Sequence, residues 1–132
     1  MREFHLQIAT PDGLAFDGEA ESLLIRCETG DVEILAGHTD YFAAVGIGRA
    51  RIKLKDGSRT ASCAGGFLSV EGGKVRLAAT TFEFAEDIDK KRAELAKERA
   101  EAQISAAKDD KALASARAKL MRALTRINVA NG

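Results

Sequence analysis

The chain has 132 residues, which suits one domain or one compact domain with an appendage. Twenty Lys and Arg balance twenty Asp and Glu, so no global charge points to nucleic acid, and 45% hydrophobic with 30% charged residues excludes wholesale disorder. No apolar run approaches the ~18–20 residues of a membrane span, the N-terminus lacks a signal-peptide pattern and so points to a cytosolic chain, and Cys27 and Cys63 are too few for a disulfide scaffold and lack zinc spacing.

The averages conceal a break near residue 85. Eleven of twelve glycines lie between Gly13 and Gly73, whereas alanine fills the last third. Glycine punctuation favours strands and turns; alanine with Lys, Arg and Glu favours helix. Residues 1–85 carry nine basic and twelve acidic residues, net −3; residues 86–132 carry eleven and eight, net +3. The expected architecture is β + α: a β-sandwich or flattened barrel over residues 1–85, then an antiparallel two-helix hairpin over residues 86–132.

Phe4, Leu6 and Ile8 point one way, with His5 and Gln7 between them and facing solvent. Pro11-Asp12-Gly13 is a turn. Leu23 to Cys27 is a more continuous apolar run, expected as a strand buried on both faces. Ala50, Ile52 and Leu54 alternate with Arg51, Lys53 and Lys55 before a hairpin turn at Asp56-Gly57 into Ser58–Cys63. Phe67, Leu68 and Val70 form another strand, and Glu71-Gly72-Gly73-Lys74 turns it into Val75, Leu77 and Ala79. Short strands with a turn every eight to twelve residues indicate a sandwich.

The first helix is expected from about Ile88 to Ser105, and the second from about Lys111 to Val129, with Asp109 or Asp110 as its N-cap. Leu113, Ala116, Leu120, Leu124 and Ile127 make one stripe. In an antiparallel register, residue i faces about residue 215 minus i, so Ile88 meets Ile127, Leu95 meets Leu120 and Ala102 meets Leu113. The first helix offers mostly alanine, and a methyl group buries little area. Such a hairpin needs support from the β domain, a ligand or a partner, which makes it a natural switch.

No catalytic constellation is evident. His38 sits in a loop without a matched nucleophile, no cluster has metal-ligand spacing, and Gly65-Gly66 and Gly72-Gly73 open no helix, so they read as turn or bulge residues. The helical charges say more. Asp89, Arg92 and Ala93 share a face, Arg99 follows two turns later, and Arg122 and Arg126 fall across from them. Several guanidiniums converging near an acid and a small residue suit a polyphosphate; the alternative is a solvated, salt-bridged surface. Helix two carries Lys111, Arg117, Lys119, Arg122 and Arg126 with no acid among them, which suits a nucleic-acid arm or a docking surface for an acidic protein. Scarce aromatics and global neutrality speak against nucleic acid.

Taken together, Ile8-Ala9-Thr10-Pro11-Asp12-Gly13, Gly30-Asp31-Val32-Glu33-Ile34-Leu35-Ala36-Gly37-His38, Ala64-Gly65-Gly66-Phe67-Leu68-Ser69-Val70 and Asp87-Ile88-Asp89-Lys90-Lys91-Arg92-Ala93 resemble the epsilon-subunit family of bacterial F-type ATP synthases over essentially the whole length. Glu33 and the Thr39-Asp40 pair depart from its usual glycine and proline. The resemblance implies a non-catalytic central-stalk subunit. Its sandwich would sit beside the gamma subunit and touch the c-ring through the Gly30–Phe42 region. Its hairpin would fold down on the sandwich or extend along gamma and inhibit ATP hydrolysis. An acidic loop of the catalytic beta subunit would meet Arg117, Lys119, Arg122 and Arg126. Some members bind ATP on the folded hairpin through a motif that Ile88, Asp89, Arg92 and Ala93 match; Arg99, Arg122 and Arg126 would then face the phosphates, and Glu83 would add a polar contact. ATP would be a regulatory ligand, with no catalytic cofactor and no metal. The address would be the cytoplasmic face of the bacterial plasma membrane, with membrane contact only through the complex. A free-standing adaptor with a basic hairpin, or a small nucleic-acid-binding protein, would be the readings from other classes.

Overall fold

The structure is a computed structural model and describes residues 2–132. Eight strands come first: β1 (Phe4–Thr10), β2 (Gly13–Ala20), β3 (Ser22–Cys27), β4 (Gly30–Leu35), β5 (Tyr41–Ala44), β6 (Ile47–Leu54), β7 (Gly57–Glu71) and β8 (Lys74–Phe84). A 3-10 turn, Ala85–Asp87, leads to α1 (Lys90–Ala106) and α2 (Asp110–Ala130). The strands form one sheet, ordered β2-β1-β8-β7-β6-β3-β4, with β5 added on β7. Every pairing is antiparallel except β1 with β8.

Alternation dictates which face of each strand is buried. In β1, Phe4, Leu6 and Ile8 are buried while His5 is exposed between Asp17 and Glu19 of β2. β3 differs from its expected two-sided burial. Leu23, Ile25 and Cys27 are buried, but Leu24 is half-buried and Arg26 is exposed and paired with Asp31 at 2.8 Å. The apolar run therefore covers one face of a sandwich layer rather than a central strand with cover on both sides.

The two strands expected at 58–63 and 67–70 are one, β7, of fifteen residues. Gly65 and Gly66 adopt φ of 71° and 102°, a region that side chains rarely enter, so the strand bends without ending. Its first half pairs with β6 and its second with β5, while β8 pairs with it from Ala61 to Glu71. That bend lets the sheet fold over itself and close a core in which Leu6, Ile8, Leu23, Ile25, Ile34, Ile52, Leu68 and Leu77 are shut off from solvent. Each such side chain contributes about 1.5–3 kcal/mol by burial.

α1 starts two residues later than expected because Asp89 caps it: its Oδ1 accepts the Arg92 N–H at 3.1 Å. Ile88 therefore precedes the helix. Asp109 caps α2 in the same way, accepting from the Ala112 N–H at 2.7 Å. α2 packs on both α1 and the sandwich strands β6 and β7. The buried residues of α1 are Ala93 and Ala100, and those of α2 include Ala116 and Ala123. Each pair is seven residues apart, and the numbers of Ala93 and Ala123, like those of Ala100 and Ala116, lie one from the expected register. The large-on-large seam is corrected: Leu95 is 51% and Leu124 43% exposed, and Ala102 is exposed too. Small residues let the helices approach closely, and the seam turns onto the alanines and leaves those leucines outside.

Candidate functional site

The hairpin lies folded against the sandwich, and between them is a cleft of about 510 Å³. Its walls come from three places. The cap and first three turns of α1 supply Asp89, Arg92, Ala93 and Arg99, with Ile88 just before them; α2 supplies Arg126; the end of β8 supplies Glu83. Seven of the eight residues expected at a nucleotide site thus meet in one place. Arg122 is half-buried on α2 but is not in the cleft wall.

The sandwich adds residues that helical spacing could not reveal, chiefly Thr10, Asp12 and Thr81. Parallel pairing of β1 with β8, from Leu6 opposite Val75 to Ala9 opposite Ala78, brings the ends of both strands to the same edge. The turn after β1 therefore stands beside Thr81 and Glu83 although about seventy residues separate them. In that turn the Asp12 N–H donates to Thr10 Oγ1 at 3.2 Å, which fixes the turn and leaves the Asp12 carboxylate exposed.

Both acidic and basic groups line the cleft. Arg126 Nε donates to Glu83 Oε1 at 2.6 Å, and the pair is only partly solvated, its side chains 25% and 39% exposed. Glu83 so directs Arg126, whose remaining guanidinium donors stay available. Arg92 and Arg99 are exposed on α1 and free of ion-pair partners among the described residues. Ala93 is buried at the cleft floor, where a longer side chain would intrude. Asp89 spends one oxygen on its cap and can accept through the other. Such a cleft can take a ligand with anionic oxygens at one end and hydrogen-bond donors at the other.

Just outside, Arg59 pairs with Glu86 and lies 3.5 Å from the Phe84 ring centroid, and the hydrogen bond from Arg59 holds the Glu86 carboxyl below its ordinary range. The residues expected to meet an acidic partner do not share a surface here. Arg117 and Lys119 are exposed, Lys119 Nζ donating to Gln103 Oε1 at 3.4 Å, while Arg126 is turned into the cleft. The Gly30–Phe42 region forms β4, a turn and the start of β5. There Phe42 stacks on Phe67 at 5.4 Å, and both are largely exposed, so Phe67 of β7 joins a patch that the sequence located only in part. Burial pushes the Cys63 thiol up to about 12 and raises Cys27 as well, so both remain protonated, inert core residues. Among the described residues no group of His, Cys, Asp and Glu has the arrangement of a metal site, and no helix is long and apolar enough to cross a membrane.

Comparison with known proteins bears on the whole chain. The family model for the ATP synthase, Delta/Epsilon chain, beta-sandwich domain matches residues 3–85, and that for the long alpha-helix domain matches residues 86–131. The chain is 39% identical to the ATP synthase epsilon chain of Bacillus velezensis, with 98% of each covered. It is 38% identical to that of Caldicellulosiruptor bescii, covering 98% of this chain and 95% of the relative. Among solved structures it resembles a chain of the Euglena gracilis mitochondrial ATP synthase OSCP/F1/c-ring assembly, with TM-score 0.82 and 21% identity over 98% of this chain and 82% of that one, a likeness of fold. The two family models and the full-length relatives agree with each other, and the chain belongs to the epsilon-chain family of bacterial F-type ATP synthase.

Proposed function

We propose that the chain is a non-catalytic central-stalk subunit that couples gamma to the c-ring and regulates ATP hydrolysis through its hairpin. Residues 1–85 are the assembly domain, which uses the Phe42–Phe67 patch and the Gly30–Phe42 region as contact zones. Residues 86–132 are the regulatory domain. The complex holds the chain at the cytoplasmic face of the bacterial plasma membrane, without direct insertion.

The observation that carries the regulatory part is the convergence of Arg92, Arg99 and Arg126 with Asp89 and Glu83 in one cleft between hairpin and sandwich. In this reading ATP occupies that cleft. Arg92, Arg99 and Arg126 take the phosphates by charge-assisted bonds. Asp89 and the backbone near Ile88 take the adenine or ribose end, and Ala93 leaves room for it. Because both helices and the sandwich contribute walls, extending the hairpin would dismantle the site. ATP then shifts the population toward the folded form by its differential affinity and by no more than that. When ATP is scarce the hairpin extends, and Arg117, Lys119, Arg122 and Arg126 meet an acidic surface of the catalytic beta subunit.

The test uses the reassembled complex. ATP hydrolysis should be inhibited at low ATP and released as ATP rises, and Arg92→Ala should move that release to higher ATP. Replacing Arg117 and Lys119 with Ala should weaken the inhibited state itself. Identical ATP dependence in the parent and Arg92→Ala would remove the cleft from the regulatory account.

A further inference from the structure

Among the described residues, two polar side-chain contacts join α2 to the sandwich, and they differ in kind. Arg126 with Glu83 belongs to the cleft and is accessible to a ligand there. The other is formed by Arg49 of β6, which is not a cleft residue. Its Nη2 donates to Asn128 Oδ1 at 2.6 Å and reaches the Asn128 carbonyl oxygen at 3.4 Å. The next residue, Val129, is fully buried.

The C-terminal end of α2 explains why a cation there matters. A helix ends in unpaired carbonyls and a partial negative charge, which Lys, Arg or His in the last turn commonly offsets. α2 has no basic residue in its last turn. Its final carbonyl-facing cation comes instead from the other domain. Asn128 lies within the stretch 127–132, which carries no charged side chain of its own.

We propose that Arg49 is the positioning residue that sets the resting place of the hairpin: its guanidinium holds the last turn of α2 on β6, whether or not the cleft is occupied. The assignment rests on reading the hairpin as a movable regulatory element. Extension of α2 returns both Arg49 and the helix end to water, so the contact favours only the folded form. The contact is solvent-exposed, so it is modest and weakens with salt. It tunes a balance rather than locking it, and the ligand at the cleft acts on the same balance through a separate set of atoms.

Hydrogen exchange on the full chain without nucleotide tests this. Arg49→Met keeps the apolar stem and removes the charge. The amides of the last turn of α2, residues 127–131, should lose roughly three- to tenfold in protection, while core amides such as that of Leu68 keep theirs. Arg49→Lys should regain part of the loss, because an ammonium can still donate to Asn128 Oδ1. The protection of the parent should fall with added salt, and that of Arg49→Met should not. Unchanged protection in Arg49→Met, or an equal loss across the sandwich core, overturns the assignment. Repeating the measurement with saturating ATP decides the cleft reading separately: a ligand bound there restores protection even in Arg49→Met.

Discussion

The sandwich and the hairpin are held together by different forces. The sandwich core is built of large side chains wholly withdrawn from water, among them Leu6, Ile8, Leu68 and Leu77. The hairpin buries alanines at its helix seam, and its hold on the sandwich adds Val129 and the polar contacts of Arg49 and Arg126. At ~25 cal/mol per Å² of apolar area, methyl groups contribute far less than leucines. Charge screening by salt leaves apolar burial largely untouched, whereas exposed polar contacts weaken with it. The difference suits a self-contained core joined to an element whose position can be set by what it binds.

The sharpest way to break the sandwich is at the bend of β7. A Cβ on Gly66 would run into the backbone of Ala78, and φ of 102° is strained for any side chain. Gly66→Ala should therefore cost roughly 3 kcal/mol or more, read as a lowered urea midpoint by circular dichroism. A normal midpoint would mean that the bend is not what lets the two layers close.

The two regions can next be perturbed separately. Leu77→Ala should cost about 2–5 kcal/mol and unfold sandwich and hairpin together, since α2 packs on the sandwich. Ala123→Leu overpacks the helix seam and should cost about 1–3 kcal/mol. Its effect should appear as faster exchange in α1 and α2, with the sandwich amides protected as before. Equal loss in both regions would contradict the division between them.

A smaller effect lies at the junction. Arg59 holds the Glu86 carboxyl below its ordinary value of 4.5. A depressed carboxyl stabilises the fold above its unfolded pKa, and that contribution is lost as pH falls through the lowered folded value. Glu86→Gln should thus be less stable than the parent near neutrality, and the gap should close under acid conditions. A gap independent of pH would mean that the ion pair contributes nothing.

Much of this was legible in the sequence, and the failures have physical causes. Strand alternation located most core faces, because a period of two is a direct consequence of pleating. It misread Leu23 to Cys27, since an apolar residue such as Leu24 can be half-exposed without penalty. The spacing of Asp89, Arg92, Ala93 and Arg99 predicted a shared face, and they do line one cleft. Spacing gave no hint of Thr10, Asp12 and Thr81, because only the parallel pairing of β1 with β8 brings them there. Nor did it yield the seam: residue size suggested leucine on leucine, while close helix approach selected alanine.

Calorimetric titration of the full chain with ATP tests the central claim, that the junction cleft is a nucleotide site. The parent should bind one ATP, and Arg92→Ala and Arg126→Ala should each lose a charge-assisted contact of about 1.5–3 kcal/mol, roughly ten- to a hundredfold in affinity. Arg117→Ala, on the exposed surface of α2, should bind as the parent does. If Arg92→Ala and Arg126→Ala also bind ATP as the parent does, or if the parent binds none, these arginines are a solvated face and the hairpin is set by other means.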